Sequence, residues 1–182
     1  NATSGVITSS SMFSGSAGAS LSLNSTSSAT VQFPAISNTQ SFSKFLWFYP
    51  TSATGAIIDV CDAQACGGYH QSELELSSGV LYARAYATGN VNSGSNTVSL
   101  NQWHYVGFSW EYVTASLSYL KIYLDGKVVG SATQSTGRFA PTGSEYNIFV
   151  RGDTTYMATS ASGTFLFGAF HMYKSAISPA QV

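Results

Sequence analysis

HQSELELSSGVLYARAY, residues 70–86, reads as two strands joined by a two-residue turn. Ser78-Gly79 supplies that turn, because a tight hairpin needs positive φ at its centre and Gly takes it without strain. The turn fixes a register with Leu76 opposite Leu81, Glu75 opposite Tyr82, Leu74 opposite Ala83 and Glu73 opposite Arg84. Leu74, Leu76, Leu81, Ala83 and Ala85 then share an inward face, while Gln71, Glu73, Glu75, Tyr82, Arg84 and Tyr86 share the other. LKIYLDGKVV, residues 120–129, repeats the pattern, with Asp125-Gly126 as the turn and Leu120, Ile122 and Leu124 on one face.

Outward from these hairpins, segments of period two or rich in aromatic residues recur between runs of Gly, Ser, Asn and Thr, and sustained helical periodicity is missing. Strands are expected at Ala19–Leu23, Ala29–Pro34, Phe42–Tyr49, Ala56–Val60, Tyr69–Ser77, Val80–Thr88, Thr97–Leu100, Trp103–Tyr112, Leu117–Leu124, Lys127–Ser131, Tyr146–Arg151 and Gly163–Tyr173. So many short strands stack as two sheets or close into a barrel. The fold class is all-β. At the end of the chain, Ser178 suits an N-cap and Pro179 the first helical position, so a short helix is expected to start there.

A length of 182 residues suits one domain with a sizeable core. Hydrophobic residues make up 44% and charged residues 8%, against about 25% charged in typical soluble domains. The solvent face is therefore built from Ser, Thr, Asn, Gln and Gly. A formal charge of −1 with seven Lys and Arg offers no footprint for a polyanion, which argues against nucleic acid and anionic membrane as partners. No apolar run is long enough to span a bilayer. Cys61 and Cys66, in CDAQAC, suit a small disulfide that pins a loop. Asn1-Ala2-Thr3 and Asn24-Ser25-Thr26 are N-glycosylation sequons. Together these features point to an extracellular or cell-surface setting.

The ordered motifs resemble a known family. GASLSLNSTSSATVQFPAI is similar to the opening hairpin of laminin G-like jelly rolls of the concanavalin A-like lectin/glucanase superfamily, and SFSKFLWFYPTS to the strand that follows. LELSSGVLYARAY, VSLNQWHYVGFSW, LKIYLDGKVV and GTFLFGAFHMYKSAISPAQV continue the match over nearly the whole chain. The resemblance implies a two-sheet antiparallel jelly-roll sandwich, and residues 1–182 are expected to be one such domain cut from a longer extracellular protein. It also implies that Trp47 and Trp103 pack in the core. Where relatives that bind calcium carry acidic residues near the last strand, this chain has Gly168 and Ala169. Asp59, Asp62 and Asp153, with Asn147, are the best remaining oxygen ligands for a Ca2+ ion, although loop and turn hydrogen bonding accounts for them better.

Relatives that cut β-glucans carry acidic residues at alternate positions of one strand, and Glu73-Leu74-Glu75 echoes that pattern without its third member. An ion pair from Glu73 to Arg84 keeps the carboxylate ionised and structural. His70, His104 and His171 lie in separate strands and show neither a triad nor zinc-ligand spacing. Arg151-Gly152-Asp153 is treated as coincidence. Tyr82, Arg84, Tyr86, Gln71 and Glu75 form a stripe of aromatic, guanidinium, amide and carboxylate groups, which is the surface chemistry that receives a sugar. The expectation is a carbohydrate-binding or adhesion module without catalytic activity. Its alternative is a structural or assembly domain of a surface filament, receptor or channel ectodomain, working through protein–protein contacts.

Overall fold

The computed structural model describes residues 6–8, 20–23, 29–61, 70–84, 90–135, 143–149 and 164–181. Thirteen strands run through them: β1 Val6–Thr8, β2 Ser20–Leu23, β3 Ala29–Pro34, β4 Phe42–Pro50, β5 Gly55–Cys61, β6 His70–Ser77, β7 Val80–Arg84, β8 Asn90–Thr97, β9 His104–Thr114, β10 Leu117–Leu124, β11 Lys127–Gln134, β12 Ser144–Phe149 and β13 Phe165–Tyr173. A seven-stranded sheet has the order β1-β2-β13-β4-β9-β10-β11, and a six-stranded sheet the order β3-β12-β5-β6-β7-β8. Neighbours pair antiparallel throughout. The two sheets face each other as a jelly-roll sandwich.

Both hairpins form as their turn residues dictate. Ser78 and Gly79 take φ of 51° and 80°, and Asp125 and Gly126 take 50° and 79°, the two positive values that a type I′ turn demands. Leu76 faces Leu81 and Leu74 faces Ala83 in register, and all four are fully buried. Asp125 does more than turn the chain. Its carboxylate accepts the Tyr105 backbone N–H at 2.9 Å and lies 2.8 Å from His104 Nδ1. The other imidazole nitrogen of His104 stands 3.1 Å from the Ser99 carbonyl, so this histidine serves the scaffold.

One core fills the space between the sheets. Phe42, Leu46 and Phe48 of β4, Val106, Phe108 and Trp110 of β9, and Leu120 and Ile122 of β10 meet Ile57, Ile58 and Val60 of β5 and the β6–β7 leucines. Phe42 and Phe108 meet edge to face, with centroids 5.7 Å apart, the geometry that the ring quadrupoles favour.

Two strands depart from the expected set. β8, NVNSGSNT, carries almost no strand signal and was expected only from Thr97, yet it forms the edge of its sheet with just Val91 and Ser93 buried. An edge strand needs only one apolar row, and polar exposed residues there discourage pairing with other chains. β1, at the opposite sheet's edge, was not expected either. The C-terminal helix start is a single 3-10 turn, Pro179–Gln181. Gln181 Oε1 accepts both the Ser178 backbone N–H at 3.0 Å and the Ser178 hydroxyl at 2.9 Å, the glutamine half of a capping box.

Candidate functional site

The outer face of the six-stranded sheet brings Glu75, Tyr82 and Arg84 together, as the hairpin register requires. Tyr82 is paired with Glu75 on one side and with Asn92 on the other, and Arg84 with Asn90. The Arg84 guanidinium donates to Glu75 Oε1 at 2.7 Å. Tyr82 and Arg84 are half-buried, whereas Asn90 and Asn92 are exposed. The two asparagines were not among the expected site residues, because the strand that carries them has no sequence signal.

Glu75 is the anomaly on this face. Only 2% of it is exposed, and its Oε2, like Arg84 Nε, is buried without a hydrogen-bond partner. Desolvation lifts its carboxyl above the ordinary 4.5, partly opposed by the Arg84 charge. The folded chain therefore holds this proton more tightly than the unfolded chain, and stability falls as pH rises from 4.5 through the raised value. Glu75→Gln is expected to flatten that decline, read as the urea midpoint against pH; an unchanged slope would assign it to other groups.

Glu73 does not join this face, and its expected ion pair with Arg84 is corrected. The register between β5 and β6 slips twice: Ala56 stands opposite Glu75, Ile58 opposite Leu74 and Asp59 opposite Ser72. Ile57 and Glu73 are thus extra residues, and a bulge re-aims a side chain relative to strict alternation. Glu73 turns into the sandwich, where it pairs with Lys44 of β4. Glu73 and Glu75 therefore aim at opposite faces and cannot flank one glycosidic bond. The same slip puts Gln71 opposite Val60; its side chain and all of Tyr86 lie outside the described residues.

The seven-stranded sheet presents a second ring-rich surface. On its outer face Phe45 stacks with Tyr105 at 5.6 Å, Trp47 lies 5.2 Å from Tyr105, and Tyr105 Oη is 3.2 Å from His171 Nδ1. Burial, with the neighbouring Tyr173 adding to it, raises the Tyr105 phenol above its ordinary value. The C-terminal segment straps part of this face: Tyr123 Oη donates to the Ile177 carbonyl at 2.7 Å, and Ile177 N–H donates to Ser43 Oγ at 2.8 Å. The expected core placement of Trp47 and Trp103 is therefore corrected. Trp47 faces outward on this surface and Trp103 packs its ring against Tyr49 at 5.6 Å, both half-buried, whereas Trp110 is the core tryptophan at 1% exposure. β4 is apolar on both faces, so its sequence alone does not show which row turns inward.

Asp59 is fully buried, with Cys61 Sγ 3.8 Å from its carboxylate. Asn147 shares its register row with Val60 and points into the sandwich, so the two expected ligands stand on opposite faces. Asp62 and Asp153 lie outside the described residues, and among the described residues no cluster of three His, Cys, Asp or Glu could hold a metal. Cys61 is not a free thiol; Cys66, Asn1, Asn24 and Arg151-Gly152-Asp153 lie outside the described residues.

The sequence profile of the concanavalin A-like lectin/glucanases superfamily, of laminin G type, matches residues 23–182. The chain belongs to that superfamily. No curated protein sequence matches it. Among solved structures, this superfamily member is similar to domain 4 of AbnA, an extracellular GH43 arabinanase from Geobacillus stearothermophilus, in complex with arabinotriose, with 15% identity over 98% of this chain and 79% of that one and a TM-score of 0.57. It is similar to an endo-β-1,4-glucuronan lyase from the fungus Trichoderma reesei, with 13% identity, coverage of 98% and 91%, and a TM-score of 0.60. It is also similar to the binding domain of botulinum neurotoxin DC in complex with SialylT, with 14% identity, coverage of 97% and 43%, and a TM-score of 0.54. At these identities the likeness is one of fold. Among the described residues of this superfamily member, the outer face of the six-stranded sheet carries Glu75, Tyr82 and Arg84 of the expected stripe, with Asn90 and Asn92 beside them.

Proposed function

We propose that this chain is an extracellular carbohydrate-binding module without catalytic activity, and that it receives sugar on the outer face of the six-stranded sheet. The observation that carries this reading is the placement of the Tyr82 ring between Glu75 and Asn92 on neighbouring strands, with Arg84 and Asn90 in the next row. A sugar ring packs its C–H face on an aromatic ring and directs its hydroxyls to planar polar groups. The unpartnered Glu75 Oε2 and Arg84 Nε are an acceptor and a donor that hydroxyls would satisfy once the Arg84 side chain moves aside, and buried polar atoms left without partners are costly enough to call for a role. Neighbours of the same fold were solved with arabinotriose and with SialylT, which supports the same ligand class.

The test is a glycan array, run with and without calcium, on the wild-type chain and on Tyr82→Ala. The substitution is expected to weaken retention of the bound glycan at least tenfold, which corresponds to about 1.4 kcal/mol. Unchanged retention by a folded variant would place the sugar elsewhere. Mass measurement with and without reductant checks the proposed Cys61–Cys66 bond of this extracellular reading. The alternative, an assembly domain that contacts other proteins, draws on the Trp47, Tyr105, His171 and Tyr173 surface. It gains if the array is blank while Tyr173→Ser changes the sedimentation of the chain.

A further inference from the structure

The middle of the sandwich holds a polar cluster that the proposed sugar site does not use. Lys44 projects inward from β4 in the seven-stranded sheet, and Glu145 and Asn147 project inward from β12 in the other sheet. Glu73 joins them from its bulge. None of the four is more than 1% exposed. Lys44 Nζ donates to Glu145 Oε1 at 2.5 Å, and the same oxygen accepts from Asn147 Nδ2 at 3.5 Å. An amine and a carboxamide from opposite sheets thus meet on one carboxylate oxygen. Asn147 Oδ1 is buried without a partner, and the Phe42 ring stands 5.4 Å from Nζ.

We propose that Lys44 and Asn147 join in a self-formed isopeptide bond, Nζ to Cγ, with Glu145 as the proton carrier. In the proposed step one proton passes from Lys44 to Glu145, and the neutral amine stays held by the Glu73 carboxylate, the second acceptor on Nζ. The free amine is then a nucleophile, as lysines become when desolvated. A half-turn of the Asn147 carboxamide about its Cβ–Cγ bond brings the orphan Oδ1 against the protonated Glu145, which donates to it and polarises the carbonyl. Nζ attacks Cγ, and Glu145 relays the amine's second proton to Nδ2, which departs as ammonia. One N–C bond forms and one breaks. Nothing is oxidised or reduced, and the products are a secondary amide, one ammonia and Glu145 as the carboxylic acid. Glu73, on Lys44 as well, positions Nζ. Burial keeps out the water that would compete for the carbonyl.

The bond would tie β4 to β12, and so one sheet to the other, through a covalent loop of about a hundred residues. Constraining the unfolded chain in this way stabilises most when the loop is long. The apolar surroundings are what make the neutral amine accessible, so the bond is expected to form only in the folded chain.

Intact mass spectrometry of the reduced chain decides the proposal. The wild type is expected to weigh less than its sequence mass by one ammonia, and trypsin is expected to leave Lys44 uncut and joined to the peptide that contains Asn147. Glu145→Gln keeps the shape of the side chain but cannot take up and release a proton, and Lys44→Arg keeps the charge but cannot form the amide; both are expected to show the full mass of their sequences. A folded wild-type chain at full sequence mass, cut normally after Lys44, overturns the proposal, and that result does not depend on whether either variant folds.

Discussion

Lys44→Met is expected to destabilise the chain by about 3–5 kcal/mol, the usual cost of taking one partner from a buried ionic group. Lys44 has no exposed surface and is shared by two carboxylates from the facing sheet. Met fills a similar volume, so the loss is not one of packing. Before the cross-link forms, the loss arises because Glu73 and Glu145 remain in the interior without the ammonium they share; in the cross-linked chain it is the loss of the covalent tie between β4 and β12. A triple variant, Lys44→Met with Glu73→Leu and Glu145→Leu, should recover much of the stability, since an apolar replacement for a whole buried ionic cluster is often neutral or better. Urea unfolding of both variants measures the difference. Equal stability of the single variant and the wild type would show that the carboxylates are held by other groups.

Gly107→Ala is the second change with a large expected effect, at about 1–3 kcal/mol or more. Gly107 stands opposite Phe45 across β4 and β9, and a Cβ placed there would run into the Lys44 carbonyl oxygen and lie 2.8 Å from Phe45 Cγ. The Phe45 ring lies over this gap, and Tyr105, Tyr123 and Ile177 pack around it. An added methyl group must therefore displace both a ring and the strap that covers it. Gly126→Ala makes the control. Its Cβ meets nothing within 4 Å, and its φ of +79° leaves backbone strain as the only penalty, on the order of 1 kcal/mol. Thermal unfolding that ranks the two variants in the reverse order would show that the gap can open at little cost.

Those two residues mark where a reading of the sequence runs out. The turns at Ser78-Gly79 and Asp125-Gly126 were legible because only a narrow set of residues takes positive φ twice in succession. With the turn fixed, the register of Leu74, Leu76, Leu81 and Ala83 followed, and with it the outward direction of Glu75, Tyr82 and Arg84. The bulge at Glu73 was not legible, because it arises from pairing with β5, which is distant in sequence. Strict alternation therefore gave Glu73 the wrong face and the wrong partner. Asn90 and Asn92 were missed for a related reason: β8 is held by its neighbour β7 and not by any strand propensity of its own.

Local chemistry alone determined that this chain is all-β, that two of its hairpins close in one register, and that its surface is sparsely charged and rich in Ser and Thr. These properties depend on torsion angles and on the period-two pattern, both of which a short segment carries within itself. The tertiary structure alone decided which row of β4 turned inward, put Trp110 in the core and Trp47 on the surface, and brought Lys44, Glu73, Glu145 and Asn147 together. Each of those outcomes depends on which strand from far along the chain arrives on the facing side, and no single segment contains that information.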